Sequence, residues 1–122
     1  MSEKPRHILV IDDNKDIGDV IKMLLDMYGY QTTIRLTWRD ALHYVELIKP
    51  DVILLDVMLD GFDGREICKT IKSVEGVSHI PVIMISASHK LLDAQQYNCI
   101  PDAFVQKPFE IDELINSIQK FA

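Results

Sequence analysis

The sequence lacks any apolar segment long enough to cross a membrane. Its longest apolar runs, such as Ile8–Ile11, are short, whereas a membrane-spanning helix needs about 20 apolar residues. Met1–Arg6 is polar and does not lead into the apolar segment of a signal peptide. These absences exclude a membrane protein and predict a cytoplasmic one.

Basic residues are scarce relative to acidic ones. The chain has 13 Lys and Arg residues against 19 Asp and Glu residues, which gives a formal net charge of −6. Proteins that bind nucleic acid directly usually carry a basic patch, and this sequence has no cluster of Lys and Arg. The charge pattern therefore argues against nucleic acid as a direct partner.

Cysteine is nearly absent, with two residues, Cys68 and Cys99. Their spacing fits neither a metal site nor a disulfide framework, so we expect a reduced setting with Cys68 packed in the core. The chain also has no repeat, low-complexity tract or linker. At this length, residues 1–122 are predicted to form a single domain.

What the sequence does contain is a regular alternation of short apolar runs with helical patterns. Runs that are apolar throughout are typical of parallel strands covered on both faces, and the alternation predicts an α/β fold of five βα units. The predicted strands are His7–Ile11, Gln31–Arg35, Val52–Asp56, Ile80–Ile85 and Ala103–Val105. The helices are predicted at 17–28, 37–48, 67–74, 90–97 and 111–121, with Thr37 capping the second, which carries Trp38.

Polar and charged residues follow four of these strands, at the point where each strand ends. Asp12 and Asp13 follow the first strand, and Asp56 ends the third. Ser86 follows the fourth strand, and Lys107 comes after the fifth. Parallel strands end on one edge of the sheet, where open α/β sheets bind their ligands, so we expect these side chains to be neighbours.

A cluster of Asp12, Asp13 and Asp56 would need a compensating cation, because neighbouring carboxylates repel one another. Mg²⁺ prefers oxygen ligands and often combines one or two carboxylates with waters and phosphate oxygens. A phosphoryl group could then be held by the metal, Lys107 and Ser86, and a carboxylate can itself accept that group as a nucleophile. Taken singly, Asp12 and Asp13 could instead cap the first helix, and Ser86 could be an ordinary loop hydroxyl.

In this order, these residues resemble the receiver domain of two-component response regulators. The matching features are the acidic pair, Asp56, Ser86-Ala87 and Lys107-Pro108-Phe109. The resemblance covers the whole chain and implies a flavodoxin-like, doubly wound three-layer sandwich with a five-stranded parallel sheet in the order 2-1-3-4-5. It also implies a regulatory phosphoacceptor domain of a phosphorelay rather than a conventional enzyme.

The resemblance implies how the phosphoryl group and the metal are bound. Asp56 would be the phosphoacceptor, attacking a phosphohistidine of a sensor histidine kinase or a histidine phosphotransfer protein. Asp13 would bind Mg²⁺ directly and Asp12 through water, with the Met58 backbone carbonyl as a further ligand and Mn²⁺ as a possible substitute. Lys107 would pair with the phosphoryl oxygens.

The resemblance also implies a switch. Ser86 would move toward the phosphoryl group and Phe104 would rotate inward, which shifts the population between two packings. A Phe on an edge strand can equally serve packing alone. The switched surface would bind an unidentified downstream protein, with the chain acting as a monomer or as a phosphorylation-dependent dimer.

Other functions compete with this interpretation. A pseudo-receiver would be an interaction module without phosphorylation, but the intact acidic pair, Asp56 and Lys107 argue against it. A flavin carrier would need a phosphate-binding loop after the first strand, where Asp12-Asp13-Asn14 would repel a phosphate. A haloacid-dehalogenase-type phosphatase separates its two Asp residues by one position, whereas Asp12 and Asp13 are adjacent.

The sequence departs from the receiver pattern in two places. Asp60 replaces a Pro that is usual four residues after the phosphoacceptor, and 98–102 replaces a usual Gly-Ala turn. In the family, side chains two positions after the phosphoacceptor and two after the hydroxyl residue tune hydrolysis of the acyl phosphate. Met58 and Ser88 occupy these positions, and neither is a strong base toward water, which predicts a long-lived phosphoryl group.

Overall fold

A five-stranded parallel sheet is the centre of the protein, as shown by a computed structural model that describes residues 6–59, 61–86, 101–107 and 109–122. Its strands are β1 (His7–Ile11), β2 (Gln31–Arg35), β3 (Val52–Asp56), β6 (Val82–Ser86) and β7 (Ala103–Gln106). A separate antiparallel hairpin consists of β4 (Met58–Leu59) and β5 (Phe62–Asp63). The helices in the described ranges are α1 (Lys15–Met27), α2 (Ala41–Ile48), α3 (Gly64–Ser73) and α4 (Ile111–Gln119).

The order of the large sheet is β2-β1-β3-β6-β7, with every neighbouring pair parallel. Counting the five parallel strands in chain order, this is 2-1-3-4-5, and the predicted flavodoxin-like fold is confirmed. β3 lies in the middle of the sheet, and all five of its residues are buried. A strand buried on both faces explains why this run is continuously apolar up to its final Asp.

Two apolar clusters, one on each face of the sheet, make the fold a three-layer sandwich. On one face, buried residues of α2 and α3, such as Val45 and Ile71, pack with alternate sheet residues. On the other face, Ile21 of α1 and Leu114 of α4 pack with the remaining sheet residues. The sheet is thereby covered on both sides, and its C-terminal edge carries the polar residues.

The ends of several elements differ from the sequence prediction. The second helix begins at Ala41, not near Thr37, and the Thr37 hydroxyl accepts a hydrogen bond from the Arg39 amide at 3.2 Å in the turn before the helix. Trp38 therefore lies in the β2–α2 turn rather than on the helix. In α4, Ile111 is largely exposed, so the buried stripe of this helix is shorter than its sequence pattern indicates.

The hairpin β4–β5 was not predicted from the sequence, which indicates only a loop after Asp56. Its turn includes Gly61, whose φ of 79° lies in the region that favours glycine. Leu59 pairs with Phe62, and Leu59 is fully buried in the core cluster that includes α2 and α3. Leu59 therefore anchors the paired strands β4 and β5 to the core.

Asp102 fixes the turn before β7, where the sequence departs from the family pattern. Its Oδ2 accepts hydrogen bonds from the Val82 amide at 2.7 Å and from the Lys72 Nζ at 2.8 Å. Lys72 Nζ also donates to the carbonyl of Ile80 at 2.9 Å. One carboxylate therefore joins the starts of β6 and β7 to the end of α3.

The prediction that the cysteines are reduced is wrong for Cys68. It is fully buried on α3, as predicted, but it is disulfide-bonded rather than reduced. Cys99 lies outside the described residues, as do Asp60, Pro108 and the predicted helix at 90–97. Within the described residues, no helix has both the length and the apolar character needed to cross a membrane.

Candidate metal and phosphoacceptor site

The C-terminal edge of the sheet brings the predicted site residues together. Strands β1 and β3 are adjacent with Ile11 opposite Leu55, so the next residues, Asp12 and Asp56, lie side by side. The Asp12 amide donates to the Arg35 carbonyl at 3.1 Å, which continues the pairing with β2 by one residue. The position of the two carboxylates is therefore a direct result of strand register.

Three carboxylates form the acidic cluster, which consists of Asp12, Asp13 and Asp56. One carboxylate oxygen from each residue lies within 4.8 Å of the others. Asp12 and Asp56 are 1% and 6% exposed, whereas Asp13 is exposed. The acidic cluster therefore combines two buried carboxylates with one that is exposed to solvent.

Lys107 joins the two buried carboxylates. Its Nζ lies 3.1 Å from Asp12 Oδ2 and 3.1 Å from Asp56 Oδ2. The Lys107 amide donates to the Ser86 carbonyl at 2.8 Å, which fixes the start of this side chain at the end of β6. The ammonium group offsets part of the negative charge of the two buried carboxylates.

The charges in the cluster change the pKa of Asp56. Burial and the charge of Asp12 raise its pKa from 3.8 to about 6, against the opposing effect of Lys107 and of the Met58 amide. Burial alone would lower the pKa of Lys107, but the charges of Asp56 and Asp12 outweigh it, and that pKa is raised. The metal-free site thus favours a charged lysine and disfavours a charged Asp56.

The donor set of the cluster fits a hard divalent cation. Its ligand atoms are carboxylate oxygens, which Mg²⁺ prefers, and the exposed side at Asp13 leaves room for the waters that Mg²⁺ usually keeps. A divalent charge would also relieve the repulsion that raises the pKa of Asp56. The residues present are therefore suited to Mg²⁺, with Mn²⁺ as a chemically similar substitute.

The first helix is not capped by the acidic pair. Its N-cap is Asn14, whose side-chain oxygen accepts from the Ile17 amide at 3.2 Å. Asp12 Oδ1 accepts from the Asn14 amide at 2.9 Å, and its other oxygen faces Lys107. The geometry places Asp12 in the cluster and leaves the capping role to Asn14.

Met58 contacts the cluster through its backbone. Its amide donates to Asp56 Oδ1 at 3.1 Å, while the residue as a whole is 50% exposed. This hydrogen bond links the hairpin directly to the side chain of Asp56. Because the backbone makes the contact, the identity of the Met58 side chain is not fixed by it.

Ser86 lies on β6, next to β3, and Phe104 lies on β7, the strand that follows β6 in the sheet. Ser86 is almost fully buried at the end of β6, opposite Gln106 of β7. Phe104 pairs with Met84 and is half-buried against the core cluster that includes α2 and α3. Ser86 is thus at the edge of the sheet that carries the acidic cluster, and Phe104 is two residues before the strand end.

Gly64 is a site residue that the sequence analysis did not single out. A Cβ at this position would lie 2.1 Å from the Asp56 carbonyl oxygen, and the Gly64 amide donates to the Val57 carbonyl at 2.5 Å. The first residue of α3 therefore packs directly against the backbone of Asp56. The Asp63-Gly64 pair was the available signal, since Asp63 caps α3 through the Arg65 amide at 2.9 Å.

We expect Gly64→Ala to disturb the site and the fold together. The added methyl would overlap backbone atoms of Asp56, which cannot move without shifting β3, so a loss of about 1–3 kcal/mol in unfolding free energy is expected. Urea denaturation of the two proteins measures it. Gly18→Ala is the matched control, because its Cβ meets only an Ile34 methyl at 3.2 Å. Equal stability of the Gly64 variant and the wild type would contradict the close approach.

The sequence matches the response regulator receiver domain family over residues 8–119. The chain belongs to this family. The receiver domain is also similar to solved structures of other receivers. One is a putative response regulator from Chloroflexus aurantiacus, with a TM-score of 0.87, 24% identity, and coverage of 97% of this chain and 98% of that chain.

Two further structures are receiver domains of histidine kinases. One is from Syntrophus aciditrophicus, with 26% identity, a TM-score of 0.85, and coverage of 95% of this chain and 89% of that chain. The other is from Pseudomonas aeruginosa, with 26% identity, a TM-score of 0.85, and coverage of 96% and 97% of the two chains. The Pseudomonas receiver has a magnesium ion coordinated in its active site cleft.

Proposed function

We propose that this receiver domain accepts a phosphoryl group on Asp56, in a Mg²⁺-dependent reaction, from a phosphohistidine of a sensor histidine kinase or a histidine phosphotransfer protein. The observation that carries the proposal is the geometry of the buried Asp56, which shares Lys107 with Asp12 and lies within 4.8 Å of Asp13. A carboxylate beside a lysine and a metal-binding pair is suited to accept phosphoryl groups.

The proposed transfer forms one bond to phosphorus and breaks another. A carboxylate oxygen of Asp56 attacks phosphorus while the bond from phosphorus to the imidazole nitrogen breaks, and the imidazole leaves with the bonding electron pair. Catalysis of such a step depends mainly on positioning and on neutralising the phosphoryl oxygens. We expect Lys107 to pair with one of these oxygens, and its Nζ contact with Asp56 Oδ2 at 3.1 Å supports this role.

Asp12, Asp13 and Asp56 would hold Mg²⁺, with the backbone carbonyl of Met58 as a further ligand. When bound, the ion neutralises negative charge on the carboxylates and phosphoryl oxygens. The support for this assignment is the all-oxygen acidic cluster and the position of Met58 next to Asp56. The magnesium in the cleft of the Pseudomonas aeruginosa receiver adds to it.

Ser86 and Phe104 are proposed as the switch residues. The connection of Ser86 to Lys107 through the backbone hydrogen bond supports a role for Ser86, since a group bound by Lys107 lies near the end of β6. Phe104 is half-buried next to Met84, so part of its surface is still accessible to solvent and can be buried by an inward rotation. A phosphoryl group adds charge and acceptor oxygens that can bias such a two-state packing.

Residues 1–122 are proposed to act as a single receiver domain in the cytoplasm, binding a downstream protein as a monomer or as a phosphorylation-dependent dimer. The family match over 8–119 supports one domain. No conventional substrate turnover is proposed, because the phosphoryl group is accepted by the protein itself. Any hydrolysis of the product would be self-directed.

Intact-mass spectrometry tests the proposal. The protein is incubated with a small phosphoryl donor with and without Mg²⁺, beside an Asp56→Asn variant. One added phosphoryl group that requires Mg²⁺ and is lost in the variant is expected. No adduct from the donor, with Mg²⁺ binding by the wild type also absent, would make the domain a pseudo-receiver and contradict the proposal.

The phosphorylated domain is expected to lose its phosphoryl group over minutes or longer, rather than seconds. In sequence, Met58 is two positions after Asp56 and Ser88 is two positions after Ser86, where the family tunes this hydrolysis, and neither side chain is a strong base. The decay of the phosphorylated mass after removal of the donor, with Mg²⁺ present, measures this lifetime. Met58→Glu should shorten it, and decay within seconds in the wild type would contradict the expectation.

A further inference from the structure

An aromatic stack joins two loops beside the acidic cluster. The rings of Trp38, in the β2–α2 turn, and Phe62, in β5, have centroids 3.9 Å apart and planes inclined by 7°. Stacked aromatic pairs stabilise a contact beyond the area they bury. The pair therefore ties the hairpin β4–β5 to a segment that precedes α2.

The hairpin is also tied to Asp56. Leu59 pairs with Phe62 and Met58 with Asp63, so a shift of the Phe62 ring displaces the paired Met58 strand. The Met58 amide donates to Asp56 Oδ1 at 3.1 Å. A short series of contacts thus connects the stack with the carboxylate proposed as the phosphoacceptor.

A hairpin with strands of two residues is not stable by itself and depends on outside contacts. Its base is held because Leu59 is buried in the core and Asp63 caps α3. Gly61, directly before β5, is exposed, and a Cβ there would meet no atom within 4 Å. The contact with Trp38 supplies lateral support next to the turn.

Trp38 is itself anchored to the second helix. Its carbonyl accepts from the Ala41 amide at 3.2 Å, and Ala41 is buried at the start of α2. The guanidinium of Arg39 lies 5.2 Å from the centre of the indole ring. The indole is also partly buried against the core cluster that includes α2 and α3, and it gives Phe62 a surface on which to stack.

We propose that Trp38 and Phe62 are positioning residues for the metal site, holding the hairpin so that the Met58 backbone stays against Asp56. The inference rests on the proposed function, because it assigns Mg²⁺ to the acidic cluster and to the Met58 carbonyl. Loss of the stack leaves every ligand in the sequence but loosens the hairpin, so Mg²⁺ affinity falls. Packing alone would instead change stability and leave the affinity of the folded protein unchanged.

The test compares Mg²⁺ binding by isothermal titration calorimetry in the wild type, Phe62→Leu and Phe62→Tyr, each first shown to be folded by circular dichroism. Phe62→Leu should weaken Mg²⁺ binding about 2- to 10-fold, the range expected for one aromatic pair. Phe62→Tyr keeps the ring and should restore the wild-type affinity. Phe121→Leu is the control, since it removes an aromatic ring from the end of the chain, after α4.

A second readout uses the fluorescence of Trp38, the single tryptophan of the chain. In the wild type, its emission should change with the same Mg²⁺ midpoint as the calorimetry, and Phe62→Leu should reduce that change. If Phe62→Leu does not fold, Trp38→Phe takes its place in the calorimetry, where the smaller ring overlap should give a smaller but measurable loss of Mg²⁺ affinity.

The outcomes separate this inference from the proposed function. Wild-type Mg²⁺ binding with an unchanged affinity in Phe62→Leu would overturn the positioning role and leave the proposed function intact. No Mg²⁺ binding by the wild type, together with no phosphoryl adduct, would overturn the proposed function and this inference with it. A lower Mg²⁺ affinity in Phe62→Leu, together with a wild-type affinity in Phe62→Tyr, supports the positioning role.

Discussion

Replacing Asp56 with asparagine is expected to make the metal-free domain more stable at pH 7.5, although it removes the proposed phosphoacceptor. Burial and Asp12 raise the pKa of Asp56 from 3.8 to about 6, so the ionised carboxylate destabilises the folded state. Asparagine keeps the shape without the charge. Lys107 keeps its contact with Asp12 at 3.1 Å. We expect a gain of about 1–3 kcal/mol in unfolding free energy.

The pH dependence of this gain has a defined sign. Because the folded pKa of Asp56 is raised, its favourable contribution is fully present below pH 3.8 and is lost as the pH rises through about 6. The advantage of Asp56→Asn should therefore be absent near pH 4 and complete above about pH 7. Urea denaturation in the presence of a chelator, at several pH values, measures the difference between the two proteins.

Asp19→Asn is the matched control for this experiment. Asp19 is an exposed aspartate on α1 that pairs with Lys15, and its replacement should change stability by less than about 0.5 kcal/mol. Excess Mg²⁺ should reduce or reverse the difference in unfolding free energy between Asp56→Asn and the wild type, because a ligand that binds the folded wild type stabilises it. An Asp56→Asn variant that is less stable than the wild type at pH 7.5 would show that Asp56 is not under electrostatic strain.

Removing the lysine of the same site should have the opposite effect. Lys107→Met leaves Asp12 and Asp56 buried without the ammonium that both contact, and we expect a loss of about 2–4 kcal/mol at pH 7.5 without metal. The pKa of Asp56 should rise further. The same denaturation experiment measures the loss, and Lys120→Met, at an exposed position after α4, provides the control.

A double variant separates the two explanations for that loss. If repulsion between carboxylates causes it, Asp56→Asn should recover a large part of the stability of Lys107→Met, so the two changes are not additive. If the lost packing of the lysine stem causes it, the effects should simply add. Phosphorylation by a small donor should also be much slower in Lys107→Met, which checks the proposed role of this residue in binding phosphoryl oxygens.

The sheet and the convergence of the site residues could be predicted because both depend on local sequence features. Continuous apolar runs identify parallel strands, and the residue after each run is then placed at a known edge of the sheet. Asp12, Asp56 and Ser86 were located in this way. The strand order came from the family resemblance, since alternation alone does not distinguish which strand is central.

The contacts that were missed depend on residues far apart in the sequence. Nothing near Trp38 indicates that its partner is Phe62, and the pairing of Met58 with Asp63 was obscured because the residues between them suggest a plain loop. The start of α2 was misplaced because Thr37 is a good cap by residue type but hydrogen-bonds within a turn. Local preference was overridden there by the geometry of the neighbouring segment.

The strand order has a mechanical consequence for the site. Asp12 and Asp56 extend from strands that are hydrogen-bonded on both sides. Lys107 extends from β7, which pairs with β6 alone among the strands of the described residues. We therefore expect the strand that carries Lys107 to shift more easily than the two strands that carry Asp12 and Asp56. When a phosphoryl group binds between the carboxylates and Lys107, β7 should therefore be the strand that moves. Amide hydrogen exchange should then change more along β7 than along β1 or β3.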